Sequence, residues 1–161
     1  MSETAWLAGF WDGEGSIGIA KNKSTFVMCC QLSLTCRDTI IYIMGLLDKM
    51  GVTNRGYTYQ ERDPTKHRDA HYIRVNGINN IVQFGKKLEP YSILKKRHWQ
   101  VAIEYGERRI EKAGGLYPNG HLKKSGIPIP YCEKDIALIE ELCFLNMRGP
   151  RGAHKRGRIH V

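Results

Sequence analysis

The chain has 161 residues, a length that favours one domain and argues against a large multidomain enzyme. Its 42% hydrophobic and 25% charged residues are typical of a folded globular protein and exclude a mainly disordered one. The 25 Lys and Arg residues outnumber the 16 Asp and Glu residues, and the net charge of +9 favours a polyanionic partner, nucleic acid before membrane. No apolar run reaches the roughly 18–20 residues of a membrane helix, and no positive segment opens a signal peptide. We therefore expect an intracellular protein with no membrane partner, in the cytoplasm, the nucleoid or an organelle.

The first predicted element is a short helix that starts near Ala5, with Thr4 as its N-cap. Ala5, Gly9 and Gly13 recur every four residues and so form one smooth stripe along this helix. Glycine destabilises an isolated helix by about 1 kcal/mol relative to alanine. We therefore expect a second helix to pack closely against the stripe.

The next segment changes to a period of two residues, which predicts a β-hairpin over 16–21 and 26–37. Apolar residues at 26, 28, 30, 32, 34 and 36 share one face of the second strand. The other face carries Gln31, Ser33, Thr35 and Arg37. The hairpin should therefore have one buried face and one polar face.

A helix capped by Asp38 or Thr39 should follow and run to about Met50, with Gly51 at its end. Two short strands are predicted near 55–61 and 71–75, and further helices over 78–88, 93–112 and 132–146. The predicted class is α+β with an antiparallel sheet. We expect a single domain over 1–161, with a Gly/Pro-rich internal loop at 114–131 and a basic tail at 148–161.

One nine-residue stretch carries a family resemblance: LAGFWDGEG at residues 7–15 resembles the LAGLIDADG signature of homing endonucleases. Five of its residues match letter for letter, and Glu14 replaces the second aspartate of the signature with the other carboxylate. The segment LEPYSILKK at 88–96 resembles a second landmark of the family, and residues 136–149 resemble the C-terminal helix of its single-motif, homodimeric branch. The resemblance implies an α-β-β-α-β-β-α core with a saddle-shaped antiparallel sheet and an extra C-terminal helix.

The same resemblance implies a homodimer in which two motif helices pack across a two-fold axis. Both copies would bring Glu14 beside that axis, and paired carboxylates in a basic protein suit a cation such as Mg²⁺. By resemblance, Glu14 and the carbonyl of Gly13 bind Mg²⁺ or Mn²⁺, and Arg37 or Asp38 fills a third position. The resemblance also makes Lys95 the active-site lysine, with Lys96 and Arg97 as nearby alternatives. The dimer interface is predicted at Ala5, Ala8, Gly9, Asp12 and Gly13, with Asp12 in a more structural role.

The polar face of the sheet is predicted to enter the major groove of double-stranded DNA, where base edges are distinguishable. Its predicted DNA-binding residues in the first hairpin are Asn22, Lys23, Gln31, Ser33, Thr35 and Arg37. Weaker choices from the second hairpin, whose register is less well defined by the sequence, are Arg55, Tyr57, Tyr59, Gln60, His71, Ile73 and Arg74. Phosphate contacts, which position without specifying sequence, are predicted for Arg148, Arg151, Lys155 and further basic residues at 66, 68, 123, 124, 156 and 158.

Together with the family resemblance, these features predict a homodimeric, Mg²⁺-dependent DNA endonuclease. The resemblance implies that it makes a double-strand break in a long, nearly palindromic DNA site. Phosphodiester cleavage is chemistry that bound metal ions support. Two alternatives stay open: an RNA-binding intron maturase, and a DNA-binding protein without cleavage activity. The presence of Glu14 and Lys95 argues against the second alternative.

Overall fold

A computed structural model describes residues 2–22, 24–59, 69–124 and 129–147. The elements in chain order are α1 (Glu3–Glu14), β1 (Gly15–Asn22), β2 (Thr25–Leu34), α2 (Arg37–Lys49), β3 (Arg55–Tyr59), β4 (Ala70–Asn76), α3 (Ile78–Leu88), α4 (Lys96–Lys112) and α5 (Glu133–Leu145). A short 3₁₀ turn, Glu89–Tyr91, separates α3 from α4. This arrangement confirms the predicted α+β class. No helix among the described residues has the length and apolar character needed to cross a membrane.

The four strands form one antiparallel sheet in the order β1-β2-β4-β3. Two hairpins, β1-β2 and β3-β4, are joined because β2 pairs with β4, as in the pair Leu32 and Ile73. The side chains of Ile17, Cys30 and Val75 are fully buried on one face of the sheet. The alternation predicted for the buried face of the first hairpin is therefore confirmed, and the other face carries Ser16 and Gln31 together with the apolar Val27 and Cys29.

The helices cover the apolar face of the sheet and close the core around aromatic side chains. Trp11 on α1 meets Phe84 on α3 edge to face, with 5.0 Å between ring centroids. Phe84 meets Trp99 on α4 in the same way at 5.3 Å. All three rings are fully buried. One face of α1 is thereby fixed against α3 and α4, which determines where the other face points.

Some predicted element boundaries were wrong, and local hydrogen bonds explain the differences. Helix α1 begins at Glu3 because Ser2, not Thr4, is the N-cap and accepts the N–H of Ala5 at 3.2 Å. Strand β2 ends at Leu34, and α2 begins at Arg37 after an N-cap at Cys36. Arg37 is therefore a helical residue and not the last residue of the strand.

Helix α5 is anchored to the rest of the fold by a buried carboxylate. Asp135 is fully buried and receives hydrogen bonds from Lys112 at 2.5 Å and Arg108 at 3.2 Å, while Arg109 lies 3.5 Å away. Burial alone would raise the pKa of Asp135, but the hydrogen bonds from Lys112, from the main-chain N–H of Cys132 and from Arg108 outweigh it and lower the pKa to about 2. The predicted C-terminal helix is therefore present and fixed on α4.

Candidate active site and nucleic-acid interface

The C-terminal end of α1 is joined to the loop before α4 by the carboxylate of Asp12. Its Oδ1 accepts the hydroxyl of Ser92 at 2.5 Å and the N–H of Lys95 at 3.1 Å. Its Oδ2 accepts the N–H groups of Ile93 at 2.6 Å and Leu94 at 2.9 Å. Burial would raise the pKa of the Asp12 carboxyl, but the hydrogen bonds from residues 92–95 together lower it. Asp12 is thus occupied inside its own chain, in agreement with a structural role.

The side chain of Lys95 also binds Asp12. Its ammonium group donates to the main-chain carbonyl of Asp12 in the last turn of α1. Carbonyls in the last turn of a helix lack partners within the helix and carry partial negative charge. The two predicted landmarks, the signature at 7–15 and the segment at 88–96, therefore meet at one point. This meeting also explains why α4 starts at Lys96, because residues 92–95 fold around Asp12.

Glu14 is the last residue of α1, and its side chain is exposed. It makes no hydrogen bond or ion pair with any residue that the structure describes. A negative charge at a helix C-terminus is unfavourable, because the carbonyls there are also negative. The Glu14 carboxylate and the adjacent main-chain carbonyl of Gly13 are oxygen donors of the kind that Mg²⁺ prefers.

The outer face of α1 is smooth and unobstructed. Gly9 and Gly13 are exposed, and a Cβ atom added at either position would meet no atom within 4 Å beyond the adjacent residues and the local helix backbone. Ala5 is half-buried on the same face. Ala8 and Asp12 were wrongly predicted to lie at a dimer interface, because Ala8 is fully buried in the core and Asp12 binds residues 92–95. The stripe of Ala5, Gly9 and Gly13 remains the candidate contact surface.

Arg37 does not join the network at the end of α1. It is exposed in the first turn of α2, and it has no hydrogen bond or ion pair with another described residue. Asp38 is also exposed in this turn. Arg37 and Asp38 are therefore both accessible in the first turn of α2, shortly after the end of β2. Neither residue contacts Lys95.

The polar face of the sheet carries two rows of side chains that cross the strands. In the first row, Ser16, Gln31, Arg74 and Arg55 are successive cross-strand partners. In the second row, Ser33 is opposite Tyr72, which is opposite Tyr57. Five predicted residues therefore share one face: Gln31, Ser33, Arg55, Tyr57 and Arg74.

Contacts within these rows arrange the polar face in detail. The Nε and Nη2 atoms of Arg74 donate to Oε1 of Gln31 at 3.2 Å and 2.6 Å. The guanidinium carbon of Arg74 lies 5.6 Å from the ring centroid of Tyr57. Tyr57 stacks on Tyr72 with 4.9 Å between centroids and 6° between ring planes. Tyr72 was missed from the sequence, although the two-residue period of β4 places it beside Arg74.

Two of the weaker predictions for the second hairpin were wrong. Ile73 is fully buried, since it faces the core and not solvent. His71 lies on the same side of β4 as Ile73, and its Nδ1 is 2.9 Å from the hydroxyl of Thr58. Neither residue belongs to the polar face.

The remaining predicted contacts are only partly within the described residues. Asn22 is exposed at the end of β1, and Thr35 is exposed just beyond β2. Lys123 and Lys124 are exposed as well. The predictions at Lys23, Gln60, Lys66, Arg68, Arg148, Arg151, Lys155, Arg156 and Arg158 and at the side chain of Tyr59 lie outside the described residues.

Comparison with known proteins agrees with this geometry. The family model of the LAGLIDADG-like domain matches residues 2–89. Among curated protein sequences, no relative matches the chain. The fold is similar to that of the archaeal intron-encoded homing endonuclease I-Vdi141I complexed with DNA, with a TM-score of 0.59 and 17% identity over 99% of this chain and 89% of that one.

Two crystal structures of the homing endonuclease I-CvuI are also similar. The complex with its target in the presence of Ca has a TM-score of 0.52 and 15% identity over 99% of this chain and 86% of that one. The complex with the I-CreI target in the presence of Mg, in which the DNA is not cleaved, has a TM-score of 0.51 and 16% identity over 99% of this chain and 85% of that one. These likenesses show the fold, and the family match spans more than half of the chain. The chain therefore belongs to the LAGLIDADG family of homing endonucleases.

Proposed function

We propose that this chain acts as a homodimeric, divalent-metal-dependent endonuclease that makes a double-strand break in a long, nearly palindromic DNA site. The observation that carries the proposal is the position of Glu14. Its accessible carboxylate lies at the end of the open face of α1, in the same last turn whose Asp12 carbonyl receives Lys95. Strand β1, whose polar face includes Ser16, begins at the next residue.

The homodimer is supported by the small number of accessible metal-ligating side chains at this site in one chain. The described residues contain no group of three or more His, Cys, Asp and Glu side chains placed to hold a metal ion. Asp12 is saturated by residues 92–95, so Glu14 is the accessible carboxylate at the end of α1. A second copy packed against Gly9 and Gly13 would bring a second Glu14 to the same place, as an isologous interface requires.

Glu14 and the carbonyl of Gly13 fit a hard divalent cation, and we assign them as the residues that would hold Mg²⁺ or Mn²⁺. When bound, such an ion stabilises the leaving oxygen and makes a bound water more acidic. Lys95 is fixed by Asp12 and places a positive charge beside the same helix end, where it would stabilise the negative charge of a phosphodiester. Arg37 is proposed as a further phosphate contact at the third position of the site, with Asp38 as its neighbour in the same turn.

The polar face of the sheet is proposed to bind the major groove of double-stranded DNA. It presents donors, acceptors and two stacked tyrosines on a surface that the helices leave uncovered. The DNA complexes of I-Vdi141I and I-CvuI support this assignment through their shared fold. The exposed lysines at 123 and 124, with the basic tail, would position the duplex through its phosphates.

The test begins with a randomised duplex library, from which the full chain selects the sites that it binds. An enriched duplex is then incubated with the protein and Mg²⁺ or Mn²⁺. We expect the wild type to break both strands, and Glu14→Gln to abolish cleavage while binding stays within about tenfold, since no base contact is removed. Glu140→Gln, which changes an exposed carboxylate on α5, is the matched control and should cut normally.

Binding without cleavage in either metal would instead identify a DNA-binding protein without nuclease activity. Cleavage by Glu14→Gln near the wild-type rate would remove Glu14 from the active site. Preferential binding of structured RNA over every selected duplex would favour the maturase alternative.

A further inference from the structure

The guanidinium of Arg74 is held on two sides by residues of its own chain. On one side, Oε1 of Gln31 accepts both Nε–H and one Nη2–H of Arg74, at 3.2 Å and 2.6 Å. On the other side lies the ring of Tyr57, 5.6 Å away, which is itself stacked on Tyr72. Arg74 is partly buried, so its orientation is set within the sheet and not by a ligand.

This arrangement leaves a defined part of the guanidinium available. Arginine has five N–H donors, and Gln31 takes the pair along the Nε edge. The remaining fork, formed by Nη1 and the second hydrogen of Nη2, matches the two acceptors O6 and N7 of guanine. Gln31 is left with its amide N–H groups, whereas bidentate contact with adenine requires an acceptor as well. The pair is thus suited to guanine and not to adenine.

A second observation indicates that an electron-rich partner belongs at this point. Arg55 is directly opposite Arg74 on the neighbouring strand and on the same face. Like charges in direct cross-strand positions destabilise a sheet. Both arginines also line a cavity of about 350 Å³, together with Asn54, Asn76 and residues 53 and 77. A ligand edge with two acceptors would relieve the repulsion between Arg55 and Arg74.

We infer that Arg74 reads a guanine in the major groove of the target, and that Gln31 is a positioning residue that fixes the guanidinium for this contact. The inference rests on the proposed function and adds a specificity determinant to it. Tyr57 supports the guanidinium from the side away from Gln31.

The test compares base preferences by selecting from a randomised duplex library with the full-length wild type, Arg74→Ala, Gln31→Leu and Gln31→Glu. Gln83→Leu, the same change at an exposed glutamine on α3, is the matched control. The wild type should enrich a guanine at one position of each half-site, and Arg74→Ala should weaken that preference roughly tenfold or more.

Gln31→Leu should weaken the same preference by about threefold or more, because the fork is retained but no longer oriented. Gln31→Glu should restore it, since a carboxylate accepts the same two N–H groups, although the added negative charge will lower affinity for all DNA. Replacing the selected guanine by 7-deazaguanine should weaken binding of the wild type but not of Arg74→Ala, because only the wild type uses N7.

Three results would overturn the inference while leaving the proposed function intact. Arg74→Ala that loses affinity equally on all duplexes would make Arg74 a phosphate contact. An unchanged guanine preference in Gln31→Leu would remove the positioning role. Equal sensitivity of wild type and Arg74→Ala to 7-deazaguanine would assign the guanine to another residue. Failure of the wild type to enrich any site would instead contradict the proposed function itself.

Discussion

Asp12 and Lys95 are bound to each other in both directions. The carboxylate of Asp12 accepts the main-chain N–H of Lys95 at 3.1 Å, and the ammonium of Lys95 donates to the main-chain carbonyl of Asp12. These residues are 83 positions apart in the chain. The reciprocal pair connects the end of α1 to the start of α4, so the position of Lys95 depends directly on Asp12.

The first prediction concerns this dependence. The carboxylate of Asp12 accepts four hydrogen bonds from residues 92–95. In Asp12→Asn, one carboxylate oxygen becomes an NH₂ group, whose hydrogens face the donors that the oxygen accepted. We therefore expect a loss of about 3 kcal/mol in the free energy of unfolding. Urea unfolding measures the loss, and cleavage should fall as well because Lys95 is displaced. Glu14→Gln is the comparison, since it should abolish cleavage without lowering stability. If Asp12→Asn is as stable as the wild type, the carboxylate does not hold the loop at residues 92–95 in place.

The second prediction separates the dimer from the fold of one chain. Gly9→Leu adds a side chain at a position where a Cβ would meet no atom within 4 Å apart from the adjacent residues and the local helix backbone. Replacing a helical glycine should leave the fold of the chain intact or stabilise it by up to about 1 kcal/mol. The same side chain should block close approach of a second α1, so sedimentation should show monomers.

The control for this change is Ala137→Leu, which enlarges an exposed residue on α5. It should leave the dimer unchanged. If Gly9→Leu sediments as the wild type does, or if the wild type is already monomeric when bound to DNA, the packing of α1 against a second α1 is refuted.

The third prediction concerns pH and the anchor of α5. Because the pKa of Asp135 is lowered to about 2 in the folded chain, its stabilisation is present above the unfolded value of 3.8 and is lost as the pH falls through about 2. This difference corresponds to about 2 kcal/mol. Unfolding of the wild type between pH 4 and pH 2 should show a decline of that size, whereas Asp135→Asn should be less stable at neutral pH and lack this part of the decline. Parallel curves for the two proteins would contradict the assignment.

The fourth prediction concerns the basic tail, whose 14 residues at 148–161 contain five Lys and Arg and no acid. Each neutralised phosphate contributes about 0.9 to the slope of log K against log salt. If roughly three charges of each subunit engage phosphates, deleting the tail should lower the slope of the dimer by about five. Titrations on selected and scrambled duplexes should show equal weakening on both. An unchanged slope would mean that the tail makes no phosphate contacts, and selective loss on the target would mean that it reads sequence.

The sequence predicted those features that depend on local patterns. Alternation along 26–34 defined the buried and polar faces of β2, and the four-residue recurrence of Ala5, Gly9 and Gly13 defined the open face of α1. Local patterns do not predict which distant segments of the chain contact each other. The pairing of β2 with β4, which brings Gln31 to Arg74, joins residues 43 positions apart. Likewise, the start of α4 at Lys96 follows from the binding of residues 92–95 to Asp12, and no local signal marks it.

The central claim is that two copies of Glu14, one from each chain, are needed to cut DNA. The measurement that tests it most directly is cleavage by mixtures in which wild-type and Glu14→Gln chains are unfolded together and refolded at varied ratios. If each cut requires both carboxylates, the number of cut strands, single-strand nicks included, should follow the square of the wild-type fraction, so that an equal mixture retains about a quarter of them while DNA binding is retained. A linear decline in cut strands, with about half of them retained in the equal mixture because mixed dimers nick one strand, would show that each chain cuts with its own Glu14 and would contradict the account.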